Sequence, residues 1–237
     1  MSPEISVVVL CYRAGDMLYG FISRVIDMLD RQELSWEMVL VGNYIPGTCD
    51  STPDVVRDIA SKNRNVKAVA MPKDGMMGWD AKTGLRETSG DYICIIDGDE
   101  QMPPEDILSV YKEIRQKGLD FVQTYRIRRH DGPARTIISF VYNKLFGLMF
   151  PRVKFRDVNS KPKIFTRDAY KRMELLHDDW FFDADMVLQT HKLKLRTAEI
   201  PTEFYRCQYR GSFIGIKAIV EFIKNLFFVK IRDRFDR

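Results

Sequence analysis

Cysteine is scarce in this chain. The four thiols, Cys11, Cys49, Cys94 and Cys207, fall in no paired spacing, which argues against a zinc site and a disulfide framework and for a reducing, cytoplasmic setting. Long apolar runs are missing too: no stretch approaches the ~18 uninterrupted apolar residues that a membrane-spanning helix needs. The first residues enter a strand without the basic-then-apolar pattern of a signal peptide, so no signal peptide is expected. Internal repeats and low-complexity segments are absent. Basic residues occur without interleaved aromatics or a nucleic-acid-binding motif, so a nucleic-acid partner is not expected.

At 237 residues and 45% apolar, the chain is long enough for one sizeable core. Its net charge of +4 is unevenly spread. Residues 1–120 carry 13 Lys/Arg against 20 Asp/Glu, whereas the remainder carries 24 against 13. A basic second half suits an anionic partner such as a membrane surface or a phosphate.

The most informative stretch is residues 92–107, an apolar run ending in acid: Tyr-Ile-Cys-Ile-Ile-Asp97-Gly98-Asp99-Glu-Gln101-Met-Pro-Pro-Glu-Asp-Ile. The run reads as a strand buried on both faces, typical of a parallel sheet. Its carboxylates then sit at the strand's C-terminal end, where open α/β sheets bind ligands. Asp97 and Asp99, separated by a glycine that lets backbone approach a ligand, suit a hard divalent cation such as Mg2+ or Mn2+, which also takes substrate phosphates. Alone, such a pair is as often a solvated loop or a helix cap. The double proline ends the strand and opens a helix near Glu105.

Strand and helix alternate across residues 1–120, with strands at 5–10, 37–41 and 66–70 and helices at about 17–29, 52–62 and from Gly78. That alternation gives a mainly parallel sheet with helices on both faces. Phe121 to Arg129 runs from a strand into a basic cluster, with Arg126 and Arg128 expected on one face and Arg129 on the other. Residues 136–150 are apolar nearly all round but too short to span a bilayer. From Phe213 to Arg232 a helix places Lys217, Glu221, Lys224, Asn225 and Arg232 in one narrow stripe. Its wide apolar face must rest on lipid, on a partner subunit of a homo-oligomer, or on its own domain.

The 92–107 pattern resembles the metal-binding motif of family 2 glycosyltransferases, most closely the polyprenyl-phosphate (dolichol-phosphate mannose synthase-like) branch. The resemblance implies an α/β glycosyltransferase A fold, with a mainly parallel central sheet flanked by helices and C-terminal amphipathic helices. It implies a catalytic domain over 1–212, divided into a nucleotide-binding half (1–120) and an acceptor half (121–212). Residues 213–237 would form an amphipathic, membrane-interfacial helix. Asp99 and Gln101 would hold the metal, with Asp97 beside them and facing the sugar nucleotide.

Further matches are imperfect. The loop Leu10-Cys-Tyr12-Arg13-Ala-Gly-Asp16 stands where the family holds the base and ribose, and of its motif only Tyr12 matches. Asn43 replaces an acid in the next loop: a base contact there, or turn chemistry. Asp80 and Lys82 would contact ribose or diphosphate, with Asp80 equally suited to favouring the helix dipole. Arg126, Arg128 and Ser160 would hold the acceptor's phosphate, with Asp157 orienting an arginine. Asp183 and Asp185 open a helix beneath the site, and Arg206 or Arg210, the latter favoured, would close on the donor diphosphate.

The resemblance therefore implies metal-dependent, inverting transfer of a sugar from a nucleotide diphosphate to a membrane polyprenyl phosphate, by a protein peripheral to the cytoplasmic membrane. A hydroxyl acceptor would instead need a base, for which Asp185 or Asp183 is placed. A non-catalytic sugar-nucleotide-binding module is the remaining alternative.

Overall fold

The computed structural model describes residues 2–207 and 216–233. In chain order the elements are β1 (Ile5–Leu10), α1 (Met17–Asp30), β2 (Trp36–Val41), α2 (Thr52–Lys62), β3 (Val66–Val69), α3 (Met77–Arg86), β4 (Tyr92–Asp97) and α4 (Asp106–Lys117). They continue with β5 (Phe121–Arg129), α5 (Pro133–Met149), β6 (Lys163–Thr166), α6 (Arg167–Arg172), α7 (Phe182–Lys192), β7 (Thr197–Phe204) and α8 (Ile216–Asp233).

The strands form one sheet in the order β3-β2-β1-β4-β6-β5-β7. All neighbours are parallel except β6, which runs antiparallel to both β4 and β5. Every residue of β1 and β2 is buried, because both parities of these strands are apolar and both faces of the sheet are covered. Val7 and Val9 of β1 pack with α1, α2 and α4, whereas Val8 and Leu10 pack with α3 and α7 on the other face. Close approach on that second face requires glycine: a Cβ at Gly84 of α3 would lie 2.5 Å from Val41 and 2.6 Å from Val8. A third cluster joins α5, α7 and α8 through Phe146, Phe150, Phe181, Val187, Leu226 and Val229.

Most elements expected from periodicity are present, with ends moved by one to three residues. Two features differ. The antiparallel β6 lies between β4 and β5, in a segment whose pattern gave no strand. The alternation of β5 breaks at a bulge between Arg126 and Arg128, which shifts their register against β7.

Candidate active site

Because β1, β2, β3 and β4 are parallel, their C-terminal ends share one edge of the sheet. The chain steps from β1 outward to β2 and β3, then returns to place β4 on the other side of β1. Such a reversal opens a crevice at the strands' C-terminal ends. Leu10 and Asp97 are register partners at its mouth. The Gly98 N–H donates to the Leu10 carbonyl (2.9 Å), and a Cβ on Gly98 would sit 3.0 Å from Val9. A side chain here would therefore crowd Val9, which would have to give way.

On the β1–β2–β3 side, the Tyr12 ring carries the Lys73 ammonium 4.4 Å from its centre and the exposed Arg13 guanidinium at 5.9 Å. Lys73 is ion-paired with buried Asp80. Burial, the largest influence, raises the Asp80 pKa against the pull of Lys73 and Asn43. Asn43 donates to Asp80 Oδ1 and to Thr83 Oγ1, both at 3.0 Å, and its oxygen accepts the Met71 N–H (3.1 Å). Both amide N–H groups are therefore committed inside the protein. Lys82 turns away from Asp80 to Asp178 (2.6 Å) and the Leu176 carbonyl (3.3 Å). Asp16 is exposed at the start of α1.

In the acid motif, Asp97 is about one-third exposed at 35%, whereas Asp99 is buried and its Oδ1 accepts the Gln101 N–H (3.2 Å). Glu100, in the left-handed region (φ 59°), turns out to Arg24 at 2.5 Å. Gln101 Nε2 donates to the Tyr205 carbonyl (3.0 Å), and Tyr205 N–H donates back to the Gln101 carbonyl (2.8 Å). Among the described residues no three His, Cys, Asp or Glu side chains group closely enough to hold a metal ion by themselves. The donors offered are hard oxygens, few in number, and Asp97 reaches solvent. Such a set fits Mg2+ or Mn2+, which complete their shells with water and substrate phosphates.

Beneath Asp97 lies a cation. Lys161 Nζ is 2.9 Å from Asp183 Oδ2 and 3.4 Å from Asp97 Oδ2. Burial, the largest influence, pulls the Lys161 pKa down, but Asp183 and Asp97 outweigh it and the net shift is upward. Lys163, wholly buried, donates to Gln123 Oε1 (2.6 Å) and the Val158 carbonyl (2.8 Å), and burial lowers its pKa to about 8.

On the β5 side, Arg126 grips Asp157 bidentately, with both contacts at 2.5 Å. Burial, the largest influence, raises the Asp157 pKa, but Arg126 and Asn143 overcome it and hold the pKa at about 2. The bulge in β5 brings Arg126 and Arg129 together over the Phe204 ring, at 5.2 and 4.7 Å from its centre. Arg128, expected beside Arg126, is instead 74% exposed and lies 3.9 Å from Glu203. Arg129 pairs with Asp131 at 2.6 Å. Arg135 has its pKa lowered, by burial first and then by repulsion from Arg129 and Arg126, against the attraction of Asp131. Among the described residues, these three guanidiniums are set against Asp131 and Asp157, while Asp183, which also attracts Arg126, is itself paired with Lys161.

Ser160 is fully buried and shares a hydrogen bond with Thr124 (2.7 Å), so it braces the wall of the cleft. Asp185 is buried, its pKa raised chiefly by burial, and it accepts the Leu176 N–H (3.1 Å). Arg210 lies outside the described residues. Sequence reading passed over Lys161, Arg129 and Arg135 as site residues.

A mainly parallel sheet with carboxylates at its crevice fits the glycosyltransferase A class of fold. Comparison with solved structures agrees. Glucosyl-3-phosphoglycerate synthase from Mycobacterium tuberculosis, in complex with Mn2+, uridine diphosphate and phosphoglyceric acid, superposes with a TM-score of 0.73 at 15% identity, over 99% of this chain and 79% of that one. The model of glycosyl transferase family 2 matches residues 6–174, and the chain belongs to that family.

Two curated relatives extend the likeness. Undecaprenyl-phosphate 4-deoxy-4-formamido-L-arabinose transferase of Edwardsiella ictaluri (strain 93-146) is 25% identical over 223 residues, covering 94% of this chain and 66% of its own length. Dodecaprenyl-phosphate galacturonate synthase of Rhizobium johnstonii is 24% identical over 239 residues, covering 98% of this chain and 69% of its own length. The chain thus spans about two thirds of the length of these relatives.

Proposed function

We propose that this chain transfers a sugar, with inversion, from a nucleoside diphosphate to a polyprenyl phosphate at a membrane surface. The observation that carries the reading is the arginine cluster at the acid edge. Arg126, Arg129 and Arg135 exceed their carboxylate partners, so the cluster retains charge for an anion, and guanidinium forks suit phosphate oxygens. The cluster is tied to the metal motif, because Phe204 lies under two of its arginines and the next residue, Tyr205, is bonded to Gln101. The names of both curated relatives join a sugar to undecaprenyl or dodecaprenyl phosphate, and the neighbour of known structure binds Mn2+ with uridine diphosphate.

Tyr12 would stack on the base, and Lys73 would approach the ribose or base. Asp99 and Gln101 would hold a divalent ion, which supplies neutralisation of charge on the departing diphosphate. Asp97 would accept hydrogen bonds from the sugar. The arginines would orient an acceptor phosphate that is already ionised near pH 7, so that no strong general base is needed.

The lipid would arrive along α5 and α8. Ile137, Phe140, Val141 and Leu148 of α5 are exposed, as are Phe227, Phe228 and Ile231 of α8, while Leu226 and Val229 pack inward. Lys144 and Lys230 lie over Phe140 and Phe150. An apolar face flanked by cations suits the interface of an anionic bilayer. No helix among the described residues is long and apolar enough to cross one.

The test is turnover of a panel of sugar nucleotides with Mn2+ and polyprenyl phosphate, in wild type and Asp99→Ala. Formation of a lipid-phosphate sugar by wild type alone supports the reading. Transfer to a sugar hydroxyl that survives loss of Arg126 and Arg129 would replace it with a base-assisted mechanism, for which buried Asp185 is the candidate.

A further inference from the structure

The segment Lys161-Pro162-Lys163 leads into β6, and both lysines are buried and directed at one carboxylate. Lys161 Nζ is 2.9 Å from Asp183 Oδ2, and Lys163 Nζ is 3.8 Å from Asp183 Oδ1. Lys163 is committed to Gln123 and the Val158 carbonyl, so it braces the pair from below. A second carboxylate oxygen, Asp97 Oδ2, lies 3.4 Å from Lys161 Nζ. At 4% exposure, and anchored by Asp183, its ammonium cannot swing out to seize a substrate. Its charge therefore acts on the crevice through Asp97.

We propose that Lys161 is a positioning residue for Asp97, occupying one carboxylate oxygen and reserving the other for the donor's sugar hydroxyls. The inference rests on the sugar-transfer reading. A fixed ammonium against Asp97 repels a divalent cation from that carboxylate and leaves the ion to Asp99 and Gln101. A hydroxyl is a neutral donor and is not repelled, so Asp97 remains a good acceptor for sugar. The lysine would thus sort two adjacent acids of the same strand end into different tasks.

The experiment is direct Mn2+ binding to the metal-free protein, without nucleotide, followed by the electron paramagnetic resonance of free Mn2+. Wild type, Asp97→Asn, Asp99→Asn, Lys161→Met, Lys161→Arg and the double variant Asp97→Asn/Lys161→Met are compared, with circular dichroism as the check of folding. The expected result is that Asp99→Asn abolishes binding while Asp97→Asn leaves it within about twofold. Lys161→Met tightens it on the order of tenfold, as removal of a neighbouring cation should. Lys161→Arg restores the wild-type value, and the double variant loses the gain.

Should Lys161→Met be too unstable to study, Asp97→Asn decides alone, since Asp97 sits at the exposed edge. Loss of Mn2+ in Asp97→Asn equal to that in Asp99→Asn overturns the inference while sparing the sugar-transfer reading. So does unchanged or weaker binding in a folded Lys161→Met. Wild type that binds no Mn2+ even after uridine diphosphate is added sinks the metal-dependent reading itself, and this inference with it.

Discussion

Gln101 and Tyr205 exchange two hydrogen bonds, Tyr205 N–H to the Gln101 carbonyl at 2.8 Å and Gln101 Nε2 to the Tyr205 carbonyl at 3.0 Å. This clasp joins residues 104 apart in sequence and fastens the loop after β4 to the end of β7. It also fixes the Gln101 amide through its nitrogen, which leaves the side-chain oxygen as the atom to meet a metal. Replacing Gln101 by Leu removes that oxygen and the side-chain half of the clasp, and leaves the Tyr205 N–H bond to the backbone carbonyl in place. Apparent Mn2+ affinity should fall on the order of tenfold in the binding assay, with thermal stability reduced by only about 1 kcal/mol, the worth of one partly exposed hydrogen bond.

Arg129 and Arg128 are sequence neighbours with different surroundings, one stacked over Phe204 and the other facing solvent. Arg129→Ala should lower kcat/KM for the lipid phosphate by tenfold or more, about 1.4 kcal/mol or above, and leave donor KM unchanged. Arg128→Ala should change it by less than about threefold. Steady-state kinetics with the acceptor varied distinguishes the two, and equal losses would contradict the assignment of the phosphate contact to Arg129 over Arg128.

The Arg126–Asp157 pair is buried, and breaking such a pair by removing one partner costs about 3–5 kcal/mol. Asp157→Ala should accordingly lower the melting temperature severely, whereas the exposed neighbour Arg156→Ala should not. Differential scanning calorimetry checks both.

Acid sensitivity follows from two depressed carboxyls. Burial, the largest influence, raises the Glu37 pKa, but Lys67, Ser6 and Ser89 outweigh it and hold the pKa at about 2, and Asp157 is also held at about 2. Both folded values lie below the unfolded ones of 4.5 and 3.8, so the stabilisation is complete above pH 4.5 and is lost as pH falls towards 2. Urea midpoints measured between pH 5 and 2.5 should drop steadily, and Glu37→Gln should flatten the upper part of that decline.

These predictions draw unequally on what the chain discloses by itself. β1 and β4 were legible because both parities of each strand are apolar, and the acid motif because Asp97 and Asp99 follow directly on a buried run. Hidden from local sequence were interactions closed by distant residues. β6 begins with a charged residue, Lys163, whose burial makes sense only with Gln123 and Asp183 beside it. The bulge that sends Arg128 outward and Arg129 inward depends on pairing with β7, about 75 residues on, and alternation alone cannot reveal it. Asn43 was read from its loop as a base contact or a turn residue, but its commitment to Asp80, Thr83 and Met71 was not legible.

Leu148 and Ile231 are 80% and 77% exposed on α5 and α8. Changing both to Ser should weaken sedimentation with anionic vesicles on the order of tenfold or more, given about 1.5–3 kcal/mol for each large apolar side chain fully withdrawn from water. Folding should be unaffected, as neither side chain supports the core. Unchanged vesicle binding would direct attention to another surface.

The most direct test of sugar transfer to a lipid phosphate is the fate of a radiolabelled sugar, offered as its nucleotide diphosphate with Mn2+ and polyprenyl phosphate. The account predicts that label enters the organic phase as a lipid-phosphate sugar with wild type, and stays aqueous with Asp99→Ala. Label that remains aqueous for every donor in the panel, or that partitions equally with Asp99→Ala, would contradict it.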